Sequence, residues 1–84
     1  MLTAEELKTY ISNGLDCVYL DVRGDDGQHF DAIIVSPAFE GKNMVQQHQM
    51  VYRALGDRMG NEIHALSMRT FTPTDWQNST LKRN

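Results

Sequence analysis

An uninterrupted apolar run, Ala32 to Val35, constrains the fold of this 84-residue chain more than any other feature. A strand that is apolar on both faces is typical of the centre of a sheet, where both faces are covered. The run ends at Ser36-Pro37, because proline cannot donate a ladder hydrogen bond. Residues 17–22 instead place apolar side chains at every second position, which predicts a half-buried strand. We therefore predict a sheet whose central strand runs from His29 to the end of the apolar run.

The two ends of the chain carry signals for short helices. Thr3-Ala4-Glu5-Glu6 is a capping box. In this motif the threonine hydroxyl accepts the backbone N–H of the second glutamate, and the carboxylate of that glutamate accepts the backbone N–H of the threonine. This helix is predicted to end at Asn13-Gly14, since glycine adopts the left-handed C-terminal conformation without strain. Thr72-Pro73 predicts a last helix, with threonine as the N-cap and proline at the first helical position. Trp76 in that helix can fold back onto the core.

A longer helix is predicted between the central strand and the next one. Asn43 is its predicted N-cap, and Gly60-Asn61 is its predicted end. Apolar and aromatic side chains recur at spacings of three and four, the pattern of an amphipathic helix. The predicted apolar face comprises Val45, His48, Tyr52, Leu55 and Met59, flanked by Met44 and Val51. A third strand is then predicted from Ile63 to Phe71.

The order of these elements, αββαβα, predicts an α+β fold. The turn Gly24-Asp25-Asp26-Gly27 joins the first two strands, so that they pair antiparallel. The second and third strands are joined through a helix, which predicts a parallel pair with a right-handed crossover. The result is a three-stranded mixed sheet with helices on one face. We expect one domain over residues 1–84, with an ordered core of about 3–77 and a frayed C-terminal tail.

Composition excludes several classes of protein. The net charge is −3, whereas a dedicated nucleic-acid binder usually has a basic excess. The single cysteine, Cys17, forbids an internal disulfide and a four-cysteine metal site, and it indicates a reducing compartment. The N-terminus is acidic without an apolar run, and no segment approaches the roughly 20 apolar residues of a membrane span. We therefore expect a cytoplasmic protein that is not bound to a membrane.

The sequence gives no support for an enzyme. It contains no nucleophile–base constellation and no phosphate-binding loop. The acidic residues Asp21, Asp25, Asp26 and Asp31 lack the ordered spacing of a calcium loop, so that a solvated turn is the better interpretation.

Several motifs together resemble the BolA-like proteins, and most of all the short, acidic bacterial branch called IbaG or YrbA. The motifs are Phe39-Glu40-Gly41-Lys42, the segment 47–55, Ile63-His64-Ala65-Leu66 and the segment 70–76. The resemblance covers nearly the whole chain and implies a fold similar to class II KH domains. It also implies a monothiol glutaredoxin as partner, with which a BolA-like protein shares a [2Fe–2S] cluster by supplying histidine, or histidine and cysteine. Other members are DNA-binding regulators linked to stress.

The resemblance makes two histidines candidate metal ligands. His64 occupies the invariant histidine position of the family, and neutral imidazole is a competent ligand for iron. His29 lies where the family carries its second ligand, at the end of the loop after the first strand. The alternative interpretations are a surface or capping role for His64 and a polar residue flanking a turn for His29. The isolated chain is expected to hold no cluster and to be a monomer or a weak homodimer.

The remaining candidates are weaker. Cys17 does not match the cysteine of the family loop and is interpreted as a small, half-buried residue. His48 lies on the long helix and is interpreted as a packed residue. As an alternative function, Lys42, Arg53 and Arg58 could contact DNA in a KH-like or helix-turn-helix-like manner. A KH backbone clamp needs two glycines, whereas Glu40-Gly41-Lys42-Asn43 has one and adds an acid. A third alternative is an adaptor that binds a protein partner without metal.

Overall fold

The computed structural model describes residues 2–61, 63 and 65–79. Its helices and strands are α1 (Ala4–Gly14), β1 (Tyr19–Arg23), β2 (His29–Val35), α2 (Met44–Leu55), β3 (Ala65–Phe71) and α3 (Pro73–Gln77). Short 3-10 turns, Pro37–Phe39 and Gly56–Arg58, precede and follow α2. The predicted order αββαβα is therefore confirmed. No helix in these described ranges has the length and apolar character needed to cross a bilayer.

The three strands form one mixed sheet in the order β1-β2-β3. β1 pairs antiparallel with β2, so that Tyr19 lies opposite Val35. β2 pairs parallel with β3, so that His29 lies opposite Ala65. The central position of β2 and both strand directions agree with the prediction. β1 begins at Tyr19, two positions later than predicted, and β3 begins two positions after the predicted Ile63.

One face of the sheet carries the core. Phe30, Ala32 and Ile34 alternate along β2 and are buried against α1 and α2. From α1 the core receives Leu7 and Ile11. The intervening positions of each strand point to the second face of the sheet, because successive side chains of a strand alternate. The two longer helices thus cover a single face, as predicted.

Trp76 of α3 lies against the second face. Its ring stacks on Tyr19 at 4.9 Å between centroids and meets Phe71 edge-on at 5.2 Å. Tyr19 alternates with Leu20, which packs against the core on the first face. The prediction of helices on one face was therefore wrong for α3. The physical reason is that two aromatic side chains on outward positions of β1 and β3 provide a stacking partner there.

The buried face of α2 differs from the predicted one. The buried residues are Gln47, Val51 and Leu55, spaced by four. Of the predicted face only Leu55 and the flanking Val51 are buried within the helix, whereas Val45 is 65% exposed. Gln47 can be buried on the inward face of the helix because its side-chain amide is hydrogen-bonded there. Gln47 Nε2 donates to the carbonyl of Lys42 at 2.8 Å, and its Oε1 accepts the hydroxyl of Thr70 at 2.6 Å.

The predicted N-caps are confirmed at Thr3, Asn43 and Thr72. The C-terminal end of α2 differs from the predicted Gly60-Asn61, whereas that of α1 agrees with the prediction. α2 ends at Leu55, before a left-handed Gly56 with φ of 60°. α1 does end at Gly14, although that glycine is not left-handed. A Cβ at Gly14 would lie 2.8 Å from the Cβ of Ala54, so that glycine is required there by the close approach of α1 to α2.

The predicted frayed tail begins at Asn78. The backbone N–H groups of Asn78 and Ser79 donate to carbonyls of α3, so that these two residues continue its last turn. The rest of the predicted tail, residues 80–84, lies outside the described residues.

Candidate metal centre

The loop between β1 and β2 positions the first candidate ligand. It spans residues 24–28 and closes tightly onto the start of β2. A Cβ at Gly24 would lie 2.6 Å from the carbonyl oxygen of His29 and 2.6 Å from the ring of Phe30. Only glycine leaves room for this approach. The loop therefore packs directly against the residue that begins the strand.

Asp26 organises the loop through its carboxylate. Oδ1 accepts the backbone N–H of Gln28 at 2.9 Å and that of His29 at 2.8 Å. Oδ2 lies 2.8 Å from Nδ1 of the His29 ring. These hydrogen bonds, led by those from the two backbone N–H groups, hold the pKa of Asp26 well below its usual range. The carboxylate is therefore ionised at neutral pH and can only accept hydrogen bonds.

His29 presents its imidazole to solvent. It is the first residue of β2, as predicted, and its side chain is 71% exposed. Because an ionised carboxylate has no proton to donate, Nδ1 must carry the hydrogen of the contact with Asp26. In the neutral ring Nε2 is then the nitrogen with a lone pair. An exposed imidazole with a carboxylate on its other nitrogen is the arrangement that proteins use for histidine metal ligands, so that this residue fits an iron ligand.

The second candidate ligand, His64, lies outside the described residues. Its two neighbours in the chain are described. Ile63 is buried in the core, and Ala65 lies opposite His29 in the parallel ladder. The N–H of Ala65 donates to the carbonyl of Gln28 at 3.1 Å. The start of β3 is thus hydrogen-bonded to the end of the loop that precedes His29.

Cys17 lies far from this centre. It precedes β1, whose first residue is opposite the last residue of β2, so that roughly 20 Å of strand separates it from His29. The thiol is half-buried and contacts the carbonyl of Leu15 at 3.4 Å. Burial, with a smaller effect of the Asp16 charge, raises the pKa of Cys17. The predicted half-buried location of Cys17 is confirmed.

His48 is half-buried on α2 and does not join His29. Within the described residues, no three His, Cys, Asp or Glu side chains are grouped so that they could hold a metal ion. A metal ion bound at His29 would therefore need ligands from outside this described set.

The three candidate DNA-contacting cations do not form one patch. Lys42 precedes α2 and Arg53 lies in its last turn, so that roughly 14 Å of helix separates them. The guanidinium of Arg58 lies 3.9 Å above the ring of Tyr10, a cation–π contact with α1. The structure therefore brings neither Arg58 nor Arg53 next to Lys42.

The second face of the sheet bears an open groove of about 650 Å³. It is bounded by Trp76 and Tyr19 at one end. Along its floor, Arg23 Nε donates to Asp21 Oδ2 at 3.0 Å, and Arg23 lies opposite Asp31 in the antiparallel pair. These charges of both signs compensate one another within the groove.

Sequence reasoning missed the role of Asp26, which it interpreted as part of a solvated turn. The signal that could have found it is the spacing Asp26-Gly27-Gln28-His29, because an aspartate often accepts the backbone N–H two residues later. The carboxylate contact with the imidazole depends on the loop conformation, which periodicity does not reveal.

Comparisons with known proteins cover most of the chain. The family model described as BolA-like protein matches residues 5–75. Acid stress protein IbaG of Escherichia coli K12 is 36% identical over 72 residues, covering 84% of this chain and 84% of that protein. The DNA-binding transcriptional regulator BolA of Haemophilus influenzae is 41% identical over 61 residues, covering 70% of this chain but only 58% of its own length. The structure of a bolA protein homologue from Coxiella burnetii aligns with a TM-score of 0.78 at 38% identity, covering 92% of this chain and 99% of that one.

Proposed function

This chain belongs to the BolA-like family, and its relatives include the IbaG branch. We propose that it is an accessory iron–sulfur protein rather than an enzyme. It binds a monothiol glutaredoxin and completes the coordination of a [2Fe–2S] cluster that the two proteins share. Its role is in cluster trafficking or in regulation by iron or stress.

The observation that carries this proposal is the exposed imidazole of His29. Its Nδ1 is engaged by Asp26 at 2.8 Å, and its Nε2 remains as the donor for an external ion. Imidazole is a suitable ligand for iron. The family resemblance implies His64 as the second ligand, and Ala65, the next residue in the chain, lies opposite His29 in the parallel pair of β2 and β3.

The thiolates of the shared cluster would come from outside this chain. Cys17 is half-buried with a raised pKa, and it lies at the far end of β2 from His29. The glutaredoxin and its glutathione would therefore each supply a thiolate, while this chain supplies nitrogen. Replacing thiolate by histidine raises the potential of a [2Fe–2S] cluster.

The test is to titrate this chain into cluster-loaded glutaredoxin and to record visible absorption and circular dichroism. We expect a changed spectrum with the wild type, because nitrogen enters the iron coordination. His64→Ala and His29→Ala should each weaken or abolish the change. His48→Ala is the matched control, since it removes an imidazole from α2, and its spectrum should follow the wild type.

Unchanged wild-type spectra, or a His64→Ala variant that behaves like the wild type, would contradict the proposal. A pull-down with cluster-free glutaredoxin separates it from an adaptor function. Equal capture with and without the cluster, together with unchanged spectra, would favour an adaptor that uses no metal.

A second candidate function is DNA binding. Its support is the similarity to the Haemophilus regulator and the composition of α2 with the residues just before it, since the segment from Lys42 to Arg53 contains two cations and no acidic residue. Arg58, the third cation assigned to this function, is in contact with Tyr10.

A further inference from the structure

We propose that Asp26 is a positioning residue for His29, which holds the imidazole in the tautomer with its proton on Nδ1 and so offers Nε2 to a metal ion. The metal ligation rests on the function proposed above. The tautomer rests on the geometry of the loop alone and can be measured without any metal.

The argument begins with the direction of the hydrogen bond. Oδ2 of Asp26 and Nδ1 of His29 are 2.8 Å apart, a normal length for a charge-assisted hydrogen bond. A carboxylate only accepts, so that the imidazole must donate. A neutral imidazole has one N–H, and placing it on Nδ1 leaves Nε2 unprotonated.

The carboxylate is itself fixed by the backbone. Its other oxygen accepts the N–H groups of Gln28 and His29, at 2.9 and 2.8 Å. The carbonyl of Gln28 in turn accepts the N–H of Ala65 from β3. Rotating the Asp26 side chain would therefore break contacts to the loop, and the imidazole is held relative to the ladder of β2 and β3.

This arrangement matters for ligation because outer carboxylates orient metal-binding histidines and raise their basicity. Removing such a partner typically lowers metal affinity by about 10–100-fold. Asp26 would act in this way without touching the metal.

Asp26→Asn separates the two roles of the side chain. The amide oxygen can still accept the backbone N–H groups of Gln28 and His29, so that the loop is retained. The amide nitrogen, however, donates where Oδ2 accepted. Nδ1 of His29 must then become the acceptor, and the proton moves to Nε2, where it blocks the lone pair. Asp25→Asn is the matched control, because it removes the same charge one residue away.

The first measurement is the tautomer of His29 in the isolated, ¹⁵N-labelled chain. Long-range proton–nitrogen correlation spectra would be recorded at a pH raised until the ¹⁵N shifts of the ring no longer change, so that the neutral ring is observed. We expect the proton on Nδ1 in the wild type and in Asp25→Asn, and on Nε2 in Asp26→Asn. The second measurement is the titration with cluster-loaded glutaredoxin, in which Asp26→Asn should bind about 10–100-fold more weakly than Asp25→Asn.

The outcomes of the two measurements distinguish an error in the positioning role of Asp26 from an error in the proposed function. A wild-type proton on Nε2 overturns the positioning role directly, even if the asparagine variant does not fold. A folded Asp26→Asn chain with an unchanged tautomer, or with control-like affinity for the loaded glutaredoxin, also overturns it and leaves the proposed function intact. A wild-type chain with the expected tautomer but no spectral response to the loaded glutaredoxin overturns the proposed function, and the ligation part of this inference with it.

Discussion

At the scale of single residues, short polar side chains fix the irregular segments of this chain. Asp26 binds two backbone N–H groups of the loop before β2. Ser36 has the same function after β2, because its hydroxyl donates to the carbonyl of Asp16 and accepts the N–H of Ala38. Each contact satisfies backbone groups that no regular structure pairs. Loops in this protein are therefore specified by individual side chains.

We predict that Ser36→Ala destabilises the fold by about 1–3 kcal/mol, the usual cost of leaving a buried polar group without its partner. Ser36 is fully buried and joins the segment before β1 to the segment after β2. The measurement is the free energy of unfolding from urea denaturation followed by far-UV circular dichroism.

Ser12→Ala is the control for that measurement. The hydroxyl of Ser12 also donates to a backbone carbonyl, that of Thr9 at 3.1 Å, but the contact is exposed on α1. Water can replace it, so that a change within about 0.5 kcal/mol is expected. Equal losses for the two variants would show that burial of the Ser36 hydroxyl contributes nothing specific.

At the scale of helices and strands, the sequence correctly predicted those features that depend on hydrogen bonds between residues close in the chain. All three N-caps were found because each cap bonds within its own first turn. The start of β2 at His29 was likewise found, because a glycine-containing turn precedes it. These features need no information from distant parts of the chain.

Features that depend on distant partners were not predicted. The inward face of α2 includes Gln47, whose amide oxygen accepts the hydroxyl of Thr70, 23 positions away. The prediction treated glutamine as an exposed polar residue, and it therefore placed the buried face of α2 on the wrong side of the helix. The location of Trp76 was missed for the same reason, because its stacking partner Tyr19 lies in β1. The contact between Asp26 and His29 spans only three positions, but it depends on a loop conformation that the periodicity of the sequence does not reveal. Each depends on a conformation that only the folded chain supplies.

The contact between α1 and α2 yields a prediction at this scale. Gly14→Ala should destabilise the protein by about 1–2 kcal/mol, because overpacking outweighs the gain in helix propensity. The added Cβ would lie 2.8 Å from the Cβ of Ala54 and 3.1 Å from its carbonyl oxygen. Thermal unfolding followed by circular dichroism measures the loss.

The double variant Gly14→Ala with Ala54→Gly tests the cause. Removing the opposing Cβ should restore part of the stability, beyond the sum of the two single changes. A strictly additive result would mean that the two helices adjust without strain. In that case the close approach of α1 to α2 would not explain the glycine at position 14.

At the scale of the whole molecule, charge and candidate ligands are unevenly distributed. The chain has a net charge of −3, yet the segment from Lys42 to Arg53 contains no acidic residue. The candidate ligand His29 lies at the opposite end of β2 from Cys17, next to the start of β3. A partner that supplies thiolates would meet the molecule at this end, whereas DNA would have to meet it at α2.

The overall charge leads to the last prediction, which concerns the second candidate function. Lys42 and Arg53 together would make two phosphate contacts, which corresponds to a salt slope of about −1.8. The repulsion between DNA and a chain of charge −3 acts against them. We therefore expect a labelled DNA duplex to remain less than half bound at about 100 µM protein and about 50 mM salt, as measured by fluorescence anisotropy. Micromolar binding that is weakened by Lys42→Gln with Arg53→Gln, but not by Lys8→Gln with Arg23→Gln, would instead identify α2 as a DNA-binding surface.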